Sequence, residues 1–271
     1  MLAFPNSKIN IGLNIIGKRS DGFHNIETVF YPIKLCDCLE ILPEESFSPQ
    51  PTFTLTGIDL GENNSNNLCL KAYQLLSKEF NLPSVKMHLH KIIPIGAGLG
   101  GGSSDAACVL KMLNYLFNLK LSSKNLTDFA TKLGSDCAFF IENRQCLASG
   151  RGELIQEVKL DLSRYHIALV KPDIHSSTAG AYSGVTPAKP ENPLSKLIQE
   201  PIETWKNNIK NDFEKSVFNR YTILAAIKND LYNQGAIYAA MSGSGSAIYG
   251  IFRERPELAL FKQYFTYINV L

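Results

Sequence analysis

The sequence predicts an α+β fold, because three features of its hydrophobic pattern point the same way. Several segments alternate apolar and polar residues, others repeat apolar residues at helical spacing, and the two kinds do not follow one another in a regular strand–helix rhythm. At 271 residues and 45% hydrophobic content, the chain has core material for one large domain or two moderate ones. The boundary expected from composition lies near residues 155–165, giving an N-terminal domain 1–158 and a C-terminal domain 159–271.

The opening segment places Ile9, Ile11, Leu13 and Ile15 on one face and Lys8, Asn10, Gly12 and Asn14 on the other, a half-buried strand. A polar turn, Lys18 to Gly22, leads to extended structure from Phe23 to Leu42. Phe53–Thr56 is a further strand, the Asn-rich stretch 63–67 a loop, and Leu68–Phe80 a helix. Val85, Met87 and Leu89 alternate with Lys86, His88 and His90 as another strand. Ala106, Leu110, Leu113 and Phe117 mark a helix, and a second, near Asn125–Leu133, stops at Gly134. Short strands are expected at Ala138–Ile141, Cys146–Ala148 and Ile167–Val170, and a loop at Ser183–Asn192. The last third predicts helices at Leu194–Lys206 and Phe213–Asn233, then strands Ala236–Met241 and Ala247–Phe252 around a Gly/Ser turn.

The charge balance, 27 Lys and Arg against 25 Asp and Glu, gives a net +2, too even to draw the whole protein to nucleic acid or anionic lipid. No apolar run approaches the 18 or so residues of a membrane span, and Met1–Asn10 lacks the layout of a secretory signal. Cys36, Cys38, Cys69, Cys108, Cys137 and Cys146 form no Cys-x-x-Cys pair and suit neither a disulfide framework nor a zinc site. A soluble protein of a reducing compartment, the cytoplasm, is expected.

The strongest local signal is Pro94-Ile95-Gly96-Ala97-Gly98-Leu99-Gly100-Gly101-Gly102-Ser103-Ser104-Asp105, between a strand and a helix. Glycines let backbone approach a ligand, and N–H groups at a helix start attract phosphate. The plain alternative, a flexible turn with Ser104 as an N-cap, sits poorly with so many glycines at a helix start. Gly96, Gly98 and Gly101 satisfy the dinucleotide spacing, but the strand before them alternates instead of being buried on both faces. No Lys precedes Ser103, as a Walker A loop requires, and no His-Arg-Asp catalytic loop of protein kinases is present.

These residues resemble the signature of the GHMP kinases. Lys8-Ile9-Asn10 and Met241-Ser242-Gly243-Ser244-Gly245-Ser246 fit the same superfamily in the right order. Arg19-Ser20-Asp21-Gly22-Phe23-His24, Gly134-Ser135-Asp136, and Lys171-Pro172 through Ser177-Thr178 are similar to the branch that acts on a cytidine-diphosphate-linked methylerythritol. The resemblance runs from about Ala3 to Phe252. It implies two domains, the first like domain 2 of ribosomal protein S5 and the second ferredoxin-like. It also implies ATP, with Mg²⁺, as phosphoryl donor in the non-mevalonate isoprenoid route.

The resemblance assigns roles residue by residue. Asp136 becomes the base that takes the hydroxyl proton, followed here by Cys137-Ala138 where the family often has Val-Pro. Lys8 keeps that carboxylate ionised and stabilises developing charge. Pro94, Gly96, Gly98, Gly100, Gly101, Gly102, Ser103 and Ser104 form the phosphate loop, while Asn67 and Lys91 match positions near adenine and its ribose. Asn10 becomes a substrate hydrogen-bonder, His24 reads the cytosine edge, and Phe23 and Tyr182 stack on its two faces, Phe23 standing where relatives carry Tyr. No metal ligands are assigned. Tyr31 and Trp205 read as packing residues. Two other readings stay open at this point: a GHMP kinase for homoserine or a mevalonate derivative, and a non-catalytic sugar or nucleotide sensor. Phe23, His24 and Tyr182 argue against the first, Lys8 and Asp136 against the second.

Overall fold

A computed structural model describes residues 1–44, 50–59 and 67–271; Asn63–Asn66 of the expected loop lie outside them. In chain order the strands are β1 (Leu2–Ala3), β2 (Asn6–Lys18), β3 (His24–Cys36), β4 (Cys38–Pro43), β5 (Thr52–Gly57), β6 (Val85–Lys91), β7 (Cys146–Gly150), β8 (Leu154–Glu157), β9 (His166–Lys171), β10 (Tyr238–Met241), β11 (Ile248–Phe252) and β12 (Phe265–Val270). The helices are α1 (Leu68–Phe80), α2 (Gly101–Leu116), α3 (Ser123–Leu133), α4 (Phe139–Glu142), α5 (Thr178–Tyr182), α6 (Leu194–Leu197), α7 (Trp205–Asn208), α8 (Phe213–Arg220) and α9 (Thr222–Asn233).

The residues group into two compact units. One comprises Met1–Ser7, Leu35–Ile95 and Gly100–Arg144, the other Lys8–Lys34, Gly96–Leu99 and Gln145–Leu271. They do not follow a single cut in sequence: besides Gln145–Leu271, the second takes Lys8–Lys34 and Gly96–Leu99.

The first unit holds a sheet of order β1-β4-β6-β5. β4 runs antiparallel to β6, with Leu39 opposite Leu89, and β5 runs parallel to it, with Phe53 opposite Met87. Along β6, Val85, Met87 and Leu89 are buried while Lys86, His88 and His90 face solvent, as the period-two pattern requires. α1, α2 and α3 pack on one another. α1 spans the expected residues, begins at the N-cap Asn67 and ends at Asn81 in the left-handed region. α3 opens with a capping box between Ser122 and Asn125 and stops at Gly134.

One expected strand is overturned here. Ala138–Ile141 is helical, a 3₁₀ turn over Ser135–Cys137 running into α4. Cys137, Ala138, Phe139, Phe140 and Ile141 are all buried, and a short continuous apolar run has no period by which to tell helix from strand.

The second unit holds two sheets, β2-β3-β7-β8 and β10-β11-β9-β12. In the latter, Tyr249 of β11 lies opposite Leu169 of β9, which in turn faces Tyr267 of β12, all antiparallel. α9 packs on β10 and β11, burying Leu224, Ile227 and Leu231 in a core with Leu13, Ile15, Val170, Phe213 and Met241. The helix expected over Leu194–Lys206 is interrupted at Pro201, which lacks an N–H and biases its predecessor away from helical backbone. That over Phe213–Asn233 breaks at Tyr221, whose φ of −129° and ψ of 78° leave the helical region. Trp205 and Tyr31 are buried, as packing residues should be. Among the described residues no helix is long and apolar enough to cross a membrane.

Candidate active site

The two glycine-rich turns, Gly96–Leu99 and Ser242–Ser246, are locked backbone to backbone within the second unit. Gly98 has a φ of +79°, and a Cβ built on it would overlap the Ser242 carbonyl. A Cβ on Gly245 would overlap the backbone of Ala97 and Gly98. Only glycine permits this approach. Each carbonyl of the stretch is taken. Gly96 O accepts from Ser246 N at 3.3 Å and Ala97 O from Ala247 N at 3.2 Å. Gly98 O accepts from Ser242 Oγ at 2.8 Å and Lys8 Nζ at 3.0 Å, and Leu99 O from Lys8 N at 2.9 Å. The carbonyl side of Gly96–Leu99 is thus committed to protein, which suits a loop whose other side meets anions.

Lys8 is buried on β2, its Nζ also bonded to Asn10 Oδ1 and 4.8 Å from the centre of the Phe30 ring. Asn10 spends both ends of its amide inside the protein, since Nδ2 donates to Thr28 Oγ1 at 3.0 Å. Thr28 passes the chain on to Gly12 O at 2.6 Å. Asn10 therefore orients Lys8. Its backbone is held too, N donating to Ser242 Oγ at 3.2 Å and O accepting from Tyr249 Oη at 2.8 Å. Asn211, buried, donates from Nδ2 to Met241 O and Gly243 O, both at 2.8 Å, and so fixes the Gly/Ser turn. Thr28, Asn211 and Tyr249 escaped the sequence reading. Each is an ordinary strand or loop residue whose contact at the site is with a partner 16 or more positions away.

The polar turn Arg19–Phe23 is closed by Arg19 N donating to Phe23 O at 2.8 Å. Arg19 also bonds Asp21, which holds that carboxyl below its usual range and accepts from Phe23 N at 3.1 Å. Beyond it His24 stacks on Tyr182, ring centroids 4.6 Å apart and planes at 21°. Phe213 meets the Tyr182 edge at 4.8 Å. Phe23 is 54% exposed, with the Arg151 guanidinium 5.0 Å from its ring centre. The structure pairs Tyr182 with His24.

In the first unit, Gly100 has a φ of +71° and precedes α2, whose first turn carries Gly101, Gly102, Ser103 and Ser104. Burial pushes the Cys137 thiol, next to Asp136, up to about 11, against a lowering influence of Ser103. Asp136 is half-buried in the 3₁₀ turn that follows the Gly134 stop. Ser104 is buried and lines a groove of about 280 Å³ with Pro5, Cys108 and Phe140. Asn67 accepts from Cys69 N at 2.8 Å through its Oδ1, so this oxygen caps α1. Pro94 is buried.

Lys91 continues the buried face of β6 and is itself buried. Its ammonium is paired with Asp37 Oδ2 and, at 3.0 Å, with Asp105 Oδ2. Asp37 Oδ1 accepts from the N–H groups of Ile92 and Ile93 at 2.5 and 2.8 Å. A Cβ on Gly101 would come within 2.8 Å of Lys91 Nζ. Burial pushes the Asp105 carboxyl up to about 7, against the pull of Lys91. Burial would depress Lys91, but Asp105 and Asp37 outweigh it and leave the ammonium raised. This cluster was not foreseen. Asp37 and Asp105 lie 54 and 14 residues from Lys91, and nothing local marks a strand lysine as buried.

Comparison with known proteins agrees with this geometry. A model of the GHMP kinases N terminal domain matches residues 67–144, and one of the GHMP kinases C terminal matches 194–266. A 4-diphosphocytidyl-2-C-methyl-D-erythritol kinase from Azobacteroides pseudotrichonymphae genomovar. CFP2 is 51% identical over 255 residues, 94% of each chain. The chain belongs to the 4-diphosphocytidyl-2-C-methyl-D-erythritol kinase family of GHMP kinases. A family member from Bacteroides fragilis is 49% identical over 258 residues, 95% of this chain and 94% of that one. A crystal structure of a 4-(cytidine 5'-diphospho)-2C-methyl-D-erythritol kinase superposes with a TM-score of 0.79 at 29% identity, covering 93% of this chain and 90% of that one. The homoserine kinase of Cytophaga hutchinsonii shares the fold, with a TM-score of 0.65 at 14% identity, covering 97% and 93% of the two chains. Membership in the GHMP kinases implies ATP-dependent phosphorylation, and the glycine cradle fits a phosphate chain because side chains are excluded from it.

Proposed function

We propose that the protein transfers the γ-phosphoryl group of ATP to the 2-hydroxyl of 4-diphosphocytidyl-2-C-methyl-D-erythritol, in the non-mevalonate route to isoprenoid precursors. The observation that carries this reading is the backbone lock between Gly96–Leu99 and Ser242–Ser246, found in a chain 51% identical to a kinase of that name.

The hydroxyl oxygen forms the new bond to phosphorus as the bond to the bridging oxygen breaks, leaving ADP. Asp136 accepts the hydroxyl proton. Lys8, kept in place by Asn10 and Gly98 O, supplies fixed positive charge to the oxygens on which negative charge grows. The α2 N-terminus, from Gly100 through Ser104, and Gly96 and Gly98 bind phosphate. Mg²⁺ would neutralise phosphate oxygens and bring most of its ligands as phosphate and water, the Ser103 hydroxyl being the protein oxygen suited to it. Asn67 and Lys91 border the adenine and ribose positions, Asn67 through its amide and Lys91 by holding the start of α2 through Asp105.

Cytosine recognition falls to His24 at the base edge, with Phe23 and Tyr182 at its two faces. Support for this reading is that His24 lies beside Tyr182, ring centroids 4.6 Å apart. We read the enzyme as cytoplasmic and as a monomer or weak homodimer on a small-molecule substrate, in keeping with its even charge and free thiols.

The test is an ADP-release assay with the cytidyl substrate beside homoserine and mevalonate. Turnover of the cytidyl substrate alone is expected. Turnover confined to homoserine or mevalonate would overturn the substrate and leave the superfamily intact.

A further inference from the structure

One side chain at the glycine stretch has no role so far. His175 belongs to the segment Lys171–Thr178, and its ring is exposed. Its Nδ1 lies 2.7 Å from the point a Cβ on Gly96 would occupy, so the imidazole rests against the first glycine of the loop. Gly96 has a φ of +63°, and the ring fills the space a side chain there would need.

The position is fixed from several sides. Ser246 Oγ donates to Ile174 O at 2.6 Å while Ser246 N donates to Gly96 O, so one residue ties this segment and the loop together. Tyr221 Oη donates to His175 O at 3.2 Å, and the hydroxyls of Thr178 and Ser244 lie 3.0 Å apart. The backbone of His175 is thus held on the two glycine turns while its ring remains open to solvent. The carbonyls of Gly96–Leu99 are all engaged by protein, so an imidazole at this edge adds a donor to a stretch built to present donors.

We infer that His175 is a phosphate-binding residue, its ring N–H donating to a phosphate oxygen of an anionic substrate held at Gly96–Leu99. The inference rests on the kinase reading above. The phosphate belongs either to ATP or to the diphosphate of the cytidyl substrate; the chemistry is the same. An imidazole carries positive charge only when protonated, and a phosphate beside it favours that form, so binding should weaken as the pH rises. The other charged or titratable groups around it are Lys8 on Gly98 O, Tyr221 on its carbonyl, Arg220 against Gly180, and Asp173 on its own segment. The glycine stretch and the Ser242–Ser246 turn carry none.

His175→Gln keeps a donor of similar reach and cannot be charged. KM for ATP and for the cytidyl substrate is measured at pH 6 and pH 8.5 in parent and variant, with thermal midpoints as a folding control. One of the two KM values should rise roughly tenfold in the variant at pH 6, the scale of a hydrogen bond to a charged group. Which of the two rises identifies the source of the phosphate. The parent's rise in that KM between pH 6 and pH 8.5 should shrink. Both KM values and their pH dependence unchanged in a folded variant would overturn the inference. Calorimetric titration with ADP and with inorganic pyrophosphate separates it from the kinase reading. If the parent fails to phosphorylate the cytidyl substrate, weaker binding of either anion by the variant still supports a phosphate contact, and equal binding refutes it.

Discussion

The glycine loop is held in two different ways on either side of Gly100. Upstream, Gly96–Leu99 is fixed by backbone against backbone: glycines where any Cβ would overlap, and every carbonyl engaged. Downstream, the start of α2 rests on buried charge: Lys91 between Asp37 and Asp105, with Asp105 one turn into the helix. The first arrangement depends on shape. The second depends on the charge carried by Asp105 beside Lys91. A loop can therefore be rigid in one half by exclusion of side chains and in the other by electrostatics, and the two halves should fail differently.

The largest effect separates holding from chemistry. Asp136→Asn leaves both supports untouched, so kcat should fall by about 10²–10⁴, the usual share of general-base catalysis, with thermal midpoint and ATP affinity close to the parent's. A kcat within threefold of the parent would remove Asp136 from the reaction.

Lys91→Met comes next and attacks the charged half. It strands Asp37 and Asp105 without their cation, and breaking a buried pair typically costs about 3–5 kcal/mol. Differential scanning calorimetry should show a midpoint lower by about 6–20 °C. A midpoint unchanged at neutral pH would mean the cluster does not hold the helix start.

Gly245→Ala attacks the backbone half. Its methyl has no flexible neighbour to displace, only the backbone of Ala97 and Gly98. A cost of about 1–3 kcal/mol is expected, as for overpacking elsewhere, together with weaker ATP binding in calorimetry. The loss should be the same at pH 5 and pH 8, and a pH-dependent loss would blur the distinction between the halves.

The smallest effect is the sharpest test of the contrast. The Asp105 carboxyl is raised to about 7 in the folded protein, above its ordinary value near 4 in the unfolded chain. Between those values the folded state binds the extra proton. The stabilisation it brings is therefore complete below about pH 4 and lost as the pH climbs through about 7. Asp105→Asn should remove that downward slope from a plot of midpoint against pH. An identical slope in parent and variant would mean the proton sits elsewhere.

Much of this arrangement was legible in the sequence, and the limits have physical causes. α1 was readable to the residue because a strong amphipathic period ends at Asn81 in a left-handed cap. The second glycine turn was legible because strand-like runs flank it. The turn into α4 was misread because Phe139, Phe140 and Ile141 are apolar on every side and show no period. β8 and β12 escaped notice, the one exposed throughout and the other only half-buried, so neither shows a clean alternation. In the site, Lys8 and Asp136 stood out through motif resemblance, whereas Asn211, Thr28 and the Asp37–Lys91–Asp105 cluster depend on long-range partners. The same distance hid the stacking of Tyr182 on His24.

The hydrogen bonds that lock the glycine stretch have a consequence for the order in which the polypeptide matures. Lys8 and Gly98 are 90 residues apart, Gly98 and Ser242 are 144, and Asn10 and Tyr249 are 239. Loop closure over such spans is slow and comes late. A nascent chain emerging from the ribosome carries Lys8 and the glycines long before Ser242, Gly245 and Tyr249 have been translated. Nucleotide affinity should therefore appear only near the end of synthesis, and a chain stalled before Ser242 would have helices and sheets but no finished loop.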